Sequence, residues 1–241
     1  MSRSIDAYDL PQRVATYDSD MELMHPNRSK MVRIALEVLP YAPDKELRAL
    51  DLGIGTGYFT HSFLRHYSKG RVVGLDGAAA MVELAKTRLG DLSDRVEYRI
   101  GDFRGLRQLV ADGEMFDVVY SSYALHHLSP TDKEKLVREC LHLLRPEGWF
   151  VNADILVAET ERVERRLQEL RVDGILQRAR GKDARFETER SIREFLDALE
   201  SRDGDQPQTL ADDLNILKRA GVRGASVFWL EYREAVYGGQ K

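Results

Sequence analysis

Cysteine is nearly absent from this chain of 241 residues: Cys140 stands alone, which excludes an internal disulfide. It falls in the stripe Leu136, Val137, Cys140, Leu141, Leu144, where helical spacing predicts a small core residue rather than a reactive thiol. Long hydrophobic runs are missing too. None reaches the ~18 apolar residues of a membrane span, and no cationic stretch leads into an apolar one at the N-terminus. These absences predict a cytoplasmic protein with no membrane partner, as monomer or homodimer. Positive charge is not in excess either: 36 Lys and Arg stand against 40 Asp and Glu, a formal net charge of -4. No global field recruits nucleic acid, so such a partner is not expected.

What is present is an ordinary globular composition, 43% hydrophobic and 32% charged, sufficient for one full core. Strand-like runs at 47–52, 71–76, 96–102, 116–121 and 149–154 alternate with helical patterns at 58–67, 78–89, 104–111 and 131–144. Alternation of this kind predicts a parallel sheet with helices on both faces. Ahead of it, residues 1–44 read as a polar, aromatic-dotted arm that becomes a helix near 28–39 and ends at Pro40 and Pro43. Behind it, residues 156–207 read as a highly charged helical insertion. Solvated helix faces account for that charge, and the insertion is placed to pack as a lid over the carboxyl ends of the strands. A loop at 201–207, a helix at 210–220 and two short strands at 225–230 and 233–237 close the chain as a hairpin. The fold class is therefore α/β: Rossmann-like, doubly wound, a mostly parallel seven-stranded sheet with an antiparallel C-terminal hairpin and a helical insertion. One domain spans 1–241, its core at 45–155 and its last helix and hairpin at 208–241.

Chemistry concentrates in Asp51-Leu52-Gly53-Ile54-Gly55-Thr56-Gly57, between the first strand and the next helix. Glycines at such a turn let a ligand lie against backbone N–H groups. A dinucleotide fingerprint needs its third glycine at the sixth position; here that position is Tyr58. Asp76 ends the second strand, where a carboxylate can accept from a ribose diol, or can cap the helix that follows. Asp102 ends the third strand, placed for an exocyclic amine with Phe103 beside the ring. Asp51 is placed to hold an ammonium group through bridging contacts.

The series LDLGIGTG, VVGLD, IGDF and FDVVYSSYALHHL resembles the class I S-adenosylmethionine-dependent methyltransferases, over roughly residues 45–155. The closing helix and hairpin, with Trp229 and Tyr237-Gly238-Gly239, is similar to that family as well. The resemblance implies S-adenosyl-L-methionine as cofactor and S-adenosyl-L-homocysteine as product. It implies that Gly53, Gly55 and Gly57 line the methionine moiety and that Asp76 holds the ribose hydroxyls. Asp102 and Phe103 would flank the adenine, with Met81 on its other face and Ser121 as a backbone contact below the sulfonium. Tyr17 resembles the N-terminal tyrosine that closes over the cofactor; it reads equally as a packing aromatic.

For the acceptor, Ser121-Ser122-Tyr123-Ala124 follows the fourth strand in place of Asn/Asp-Pro-Pro-Tyr/Phe. In this family that departure disfavours exocyclic amines of nucleic-acid bases and glutamine side chains, leaving a small-molecule acceptor as the expectation. The acceptor pocket is expected between the N-terminal arm, the insertion and the hairpin, with His25, Arg28, Asp154, Trp229 and Tyr232 as candidate substrate contacts. His126 is the candidate catalytic residue, facing the acceptor, while His127 is expected to point elsewhere and serve structure. The six histidines show no zinc-type spacing, so no metal is expected. Competing readings are an enzyme that uses or makes a modified S-adenosylmethionine, methylation of RNA or protein, an NAD-dependent oxidoreductase, and a degenerate binding module.

Overall fold

The computed structural model describes residues 3–241. Its strands are β1 (Arg48–Leu52), β2 (Arg71–Asp76), β3 (Val96–Ile100), β4 (Phe116–Ser122), β5 (Leu144–Ile155), β6 (Arg223–Glu231) and β7 (Glu234–Gln240). They form one sheet in the order β3-β2-β1-β4-β5-β7-β6. Neighbours from β3 to β5 pair in parallel, and β7 runs antiparallel to both β5 and β6. The expected doubly wound sheet with its antiparallel hairpin is therefore present. Strand order reverses between β1 and β4, the place where ligands bind at the carboxyl ends of an open α/β sheet.

The helices are α1 (Arg3–Tyr8), α2 (Pro11–Met24), α3 (Arg28–Glu37), α4 (Tyr58–His66), α5 (Ala79–Leu89), α6 (Leu106–Leu109), α7 (Pro130–Leu143), α8 (Glu161–Ala179), α9 (Glu189–Asp203) and α10 (Leu210–Ala220). Side-chain alternation along the strands splits the core into two layers. Ala49, Val72, Val118 and Tyr120 pack with Phe59 and Phe63 of α4. Leu50, Leu52, Val73 and Leu75 pack with Leu136, Val137 and Cys140 of α7. Burial of each large apolar side chain contributes about 1.5–3 kcal/mol, so these layers hold the strand rim in place. A third cluster joins Met24 of α2 to Val172 and Ile175 of α8 and to Ile192 and Leu196 of α9. Here the insertion meets the N-terminal arm. Among the described residues no helix is long and apolar enough to cross a membrane.

Several boundaries differ from the sequence reading. The arm holds three helices, not one near 28–39, and α1 packs against α9. The helix expected at 104–111 shrinks to α6, because the Asp102 carboxylate accepts from the Arg104 N–H and fixes a tight 3-10 turn first. The loop expected at 201–207 starts later, since α9 continues to Asp203 and ends on left-handed Gly204. Pro146-Glu147-Gly148 does not stop a strand. It bulges within β5, with Glu147 at φ 63° and the register slipping between Phe116 and Val118.

Candidate functional site

The glycine turn leaves β1 through Gly53, at φ 79°, and enters α4 through Gly57, at φ 74°. The two glycines answer different needs. A Cβ on Gly53 would sit 2.6 Å from the Ala124 Cβ, across the site, whereas one on Gly57 would press the Ala85 backbone of α5 at 3.2 Å. Gly57 is thus a helix-packing glycine and does not line the pocket. The amides are also more engaged than a bare cradle requires: Gly53 and Ile54 donate to the Leu75 carbonyl, at 2.9 and 2.8 Å. Gly55 donates to Asp76 Oδ2 at 2.8 Å, and Ala78 to Asp76 Oδ1 at 2.9 Å. Asp76 therefore caps the turn and the helix, as its alternative reading held, while facing the pocket. Burial pushes its carboxyl up to about 6, against the pull of those amides.

Seven predicted cofactor residues meet in one pocket. Gly53, Gly55 and Asp76 form its floor, with Met81, Asp102 and Phe103 alongside and Tyr17 above. Ile5, Tyr8, Ser122, Tyr123, Ala124 and His127 complete it. Asp51 and Ser121, expected there, are turned away. Asp51 is fully buried under the sheet, accepting from the Thr60 hydroxyl at 2.6 Å, and burial raises its carboxyl to about 7. Ser121 donates to the Leu52 carbonyl at 2.7 Å, and its neighbour Ser122 reaches the pocket instead. Alternation along β4 made that choice. The free space is about 70 Å³, less than the ~150 Å³ cavity that takes a benzene ring. Ile5 of α1, whose side chain packs on Gly77, and Tyr8 cover the site. Entry of an adenosyl ligand requires α1 to withdraw.

Tyr8, Tyr17 and Tyr123 separate this pocket from an inner cavity of about 30 Å³ reached by His25, His126 and Asp205. The inner cavity in turn shares Met24, His25, Ile155 and Arg171 with an outer groove of about 400 Å³ between α8 and the β6–β7 turn. This chain of spaces lies between the arm, the insertion and the hairpin.

The candidate substrate residues are unequally placed. His25 borders both the inner cavity and the groove, its Nδ1 2.9 Å from Glu234 Oε1 and its ring 4.7 Å from that of Tyr123. Burial lowers its pKa despite Glu234. Tyr232, 64% exposed at φ 52°, lies at the groove's mouth. Asp154 is wholly buried and contacts no pocket, but it holds His126: Oδ1 lies 2.6 Å from Nδ1, and Oδ2 accepts the His126 N–H at 3.0 Å. Arg28 and Trp229 border none of these spaces. Arg28 pairs with Asp18 at 3.0 Å and stacks over Tyr58, and Trp229 lies on the edge strand under Lys30.

Burial disfavours the His126 imidazolium, yet the Asp154 carboxylate, joined by Asp205, raises its pKa above the ordinary value. For His127 burial wins, reinforced by repulsion from His126, and its pKa falls. The expectation that the two histidines point different ways fails: their ring centroids lie 4.1 Å apart and both approach Asp205. Both rings turn toward the same Asp205 carboxylate, which draws them together. Sequence reasoning also missed Tyr8, Tyr123, Glu234 and Asp205. Tyr123 carried a signal, since it sits just beyond the end of β4 on the rim; Asp205 carried none.

A seven-stranded sheet of this order, with its glycine turn at the strand reversal and carboxylates ending β2 and β3, defines the Rossmann-like methyltransferase fold. A family model described as a methyltransferase domain matches residues 49–148, and with the curated relatives it supports a class I S-adenosylmethionine-dependent methyltransferase. An uncharacterized methyltransferase of Anoxybacillus flavithermus is 34% identical over 127 residues, covering 53% of this chain and 56% of that protein. The chain spans less than two thirds of the length of several curated methyltransferases it matches. The carboxy-S-adenosyl-L-methionine synthase of Nautilia profundicola is 21% identical over 221 residues, 91% of this chain and 88% of that one. In fold, the structure of PigF with SAH superposes at a TM-score of 0.67 and 16% identity, over 100% of this chain and 62% of that one.

Proposed function

We propose that this chain methylates a small-molecule acceptor that reaches the inner cavity through the groove between α8 and the β6–β7 turn. The carrying observation is that one tyrosine wall, Tyr8, Tyr17 and Tyr123, is common to the pocket above Asp76 and to the cavity that His126 borders. S-adenosylmethionine bound above Asp76 would supply an electrophilic methyl on a sulfonium, leaving S-adenosylhomocysteine. The residues present suit it: Asp76 offers an acceptor for ribose hydroxyls, and Phe103 and Met81 offer two apolar faces for a purine. Asp102 is salt-bridged to Arg104 at 3.0 Å, so it meets an exocyclic amine only with its remaining acceptor capacity. Tyr17 closes the pocket from above.

On the acceptor side, Asp154 accepts a hydrogen bond from His126 Nδ1–H and leaves Nε2 as the basic atom beside the cavity. A raised pKa suits that nitrogen to accept the proton of a hydroxyl or amine as the methyl bond forms. Holding the acceptor behind a tyrosine wall excludes water and sets near-attack distance, where most of the rate advantage lies. Calorimetry with S-adenosylhomocysteine tests the cofactor half. Binding to the unaltered chain, weakened at least ~10-fold (about 1.4 kcal/mol) in Asp76→Asn, supports the reading; no association of either S-adenosyl compound with pure protein refutes it.

A second reading, in which the chain uses or makes a modified S-adenosylmethionine, has one observation in its favour besides the Nautilia relative. Arg13 and Arg171 border the inner cavity, paired with Asp203 and Glu200 at 3.0 and 2.6 Å, and stand ready for an added carboxylate. Mass spectrometry of the ligand carried through purification separates the two.

A further inference from the structure

His126, His127 and Asp205 lie outside the adenosyl floor, and they converge. We infer that these three side chains bind a divalent transition-metal ion, with Asp154 as the carboxylate behind His126. One ligand atom from each residue lies within 4.8 Å of the others. Both histidines are buried and Asp205 is nearly so, their side chains 6, 8 and 10% exposed.

The polar atoms are left over from ordinary bonding. His127 Nδ1 and Asp205 Oδ1 pair with each other at 2.8 Å, without the alignment of a hydrogen bond. They approach without alignment, as two ligands of one ion do. Bonds of ~2.1 Å around a tetrahedral Zn²⁺ put its ligand atoms roughly 3.4 Å apart. The 2.8 Å from His127 Nδ1 to Asp205, and the 3.7 Å from His126 Nε2 to the same oxygen, bracket that spacing. Small side-chain rotations suffice.

Asp154 supplies the outer shell. Its Oδ1 holds His126 Nδ1 at 2.6 Å, so Nε2 is the atom presented, the carboxylate–histidine–metal arrangement of many zinc sites. An ion held there displaces Nε2 from the base role given above. Two imidazoles and one carboxylate suit Zn²⁺ or Fe²⁺ better than Mg²⁺ or Ca²⁺, which prefer oxygen alone. Glu200 and Asp203, beside Asp205 in a pocket of about 490 Å³, are already paired with Arg171 and Arg13, so Asp205 is the carboxylate there that faces the two histidines. His126 and Asp205 also border the inner cavity, so three protein ligands leave the ion open toward the space assigned to the acceptor. A hydroxyl, phenol or carboxylate oxygen is the ligand chemistry that fits the open position.

The inference rests on the coordination geometry, and its test does not need methyl transfer. Protein stripped with chelator is titrated with Zn²⁺ in a calorimeter and with Co²⁺ in a visible spectrometer. The expected result is one ion per chain and the d–d bands of four- or five-coordinate Co²⁺. Asp205→Asn and His127→Gln should each weaken binding at least 100-fold, and Asp154→Asn by roughly 10–100-fold through the outer shell. Thermal unfolding and S-adenosylhomocysteine titration of Asp205→Asn confirm that the protein is folded and its adenosyl pocket intact. Absence of heat and of Co²⁺ bands in the folded, unaltered chain overturns the inference, as does binding that Asp205→Asn and His127→Gln leave unchanged.

Discussion

His126 Nδ1 stands 2.6 Å from Asp154 Oδ1, with both side chains buried at the carboxyl end of β4 and β5. Each favours the charged form of the other: burial opposes both charges, but the pairing lifts the histidine above its ordinary pKa and brings the aspartate below its own. A histidine raised in this way contributes stability that is complete below its unfolded pKa and lost as pH climbs through the folded one.

Asp154→Asn leaves burial as the main influence on His126, so the imidazole should titrate below its ordinary value instead of above it. NMR of the His126 ring measures this directly. Denaturant unfolding should show a loss of about 3–5 kcal/mol, the usual result of stripping one partner from a buried pair. An unmoved His126 titration would mean that Asp154 does not govern the ring.

Asp51 gives a slope of the same sign, chiefly from burial. Its carboxyl rises from 3.8 to about 7 because it is buried, so between those values the folded chain holds a proton that the unfolded chain releases. That contribution is present at low pH and lost as pH rises through about 7. Asp51→Asn should flatten the fall and stabilise the protein at pH ~8 by about 1 kcal/mol or more. Thermal scans across the neutral range decide; a variant less stable at every pH contradicts it.

Gly53→Ala forces a Cβ onto a left-handed residue and to within 2.6 Å of Ala124. Strain of this kind costs roughly 1–3 kcal/mol before the clash is counted. The melting temperature should fall, and S-adenosylhomocysteine affinity should drop more than ~10-fold as the rim at Ala124 is displaced. Gly57→Ala, which presses on α5 instead, should lower stability with a smaller effect on affinity once folded protein is compared.

Lys133 and Asp213 form a second buried pair, at 2.7 Å, and Asp213 also accepts from the Tyr237 hydroxyl at 2.6 Å. Lys133→Met should cost about 3–5 kcal/mol by leaving Asp213 uncompensated. Adding Asp213→Asn should recover part of the loss. A double mutant that merely sums the two single effects would show that the residues are not coupled.

The adenosyl half of the site was legible because its signals are local. Gly53, Asp76 and Asp102 each stand at a strand end, and strand ends of a parallel sheet share one rim. Asp51 was misplaced by the same reasoning, since a strand's alternation sends every second side chain to the other face, whereas Ser121 was expected only through its backbone. His25 and Tyr232 were found near the groove, while Arg28 and Trp229 were drawn into salt bridges and stacking elsewhere. Asp205 and Glu234 were illegible: each is one acidic residue among 40.

From spacing along the chain come the strand sequence, the glycine turn and the two rim carboxylates, because periodicity and turn chemistry are properties of a few consecutive residues. Packing alone decided that α1, α2, α8 and α9 roof the rim, that His126 and His127 share one side, and that Asp205 meets them there. Those contacts join segments far apart in the chain, and their geometry exists only once the apolar faces of separate helices have been buried against one another.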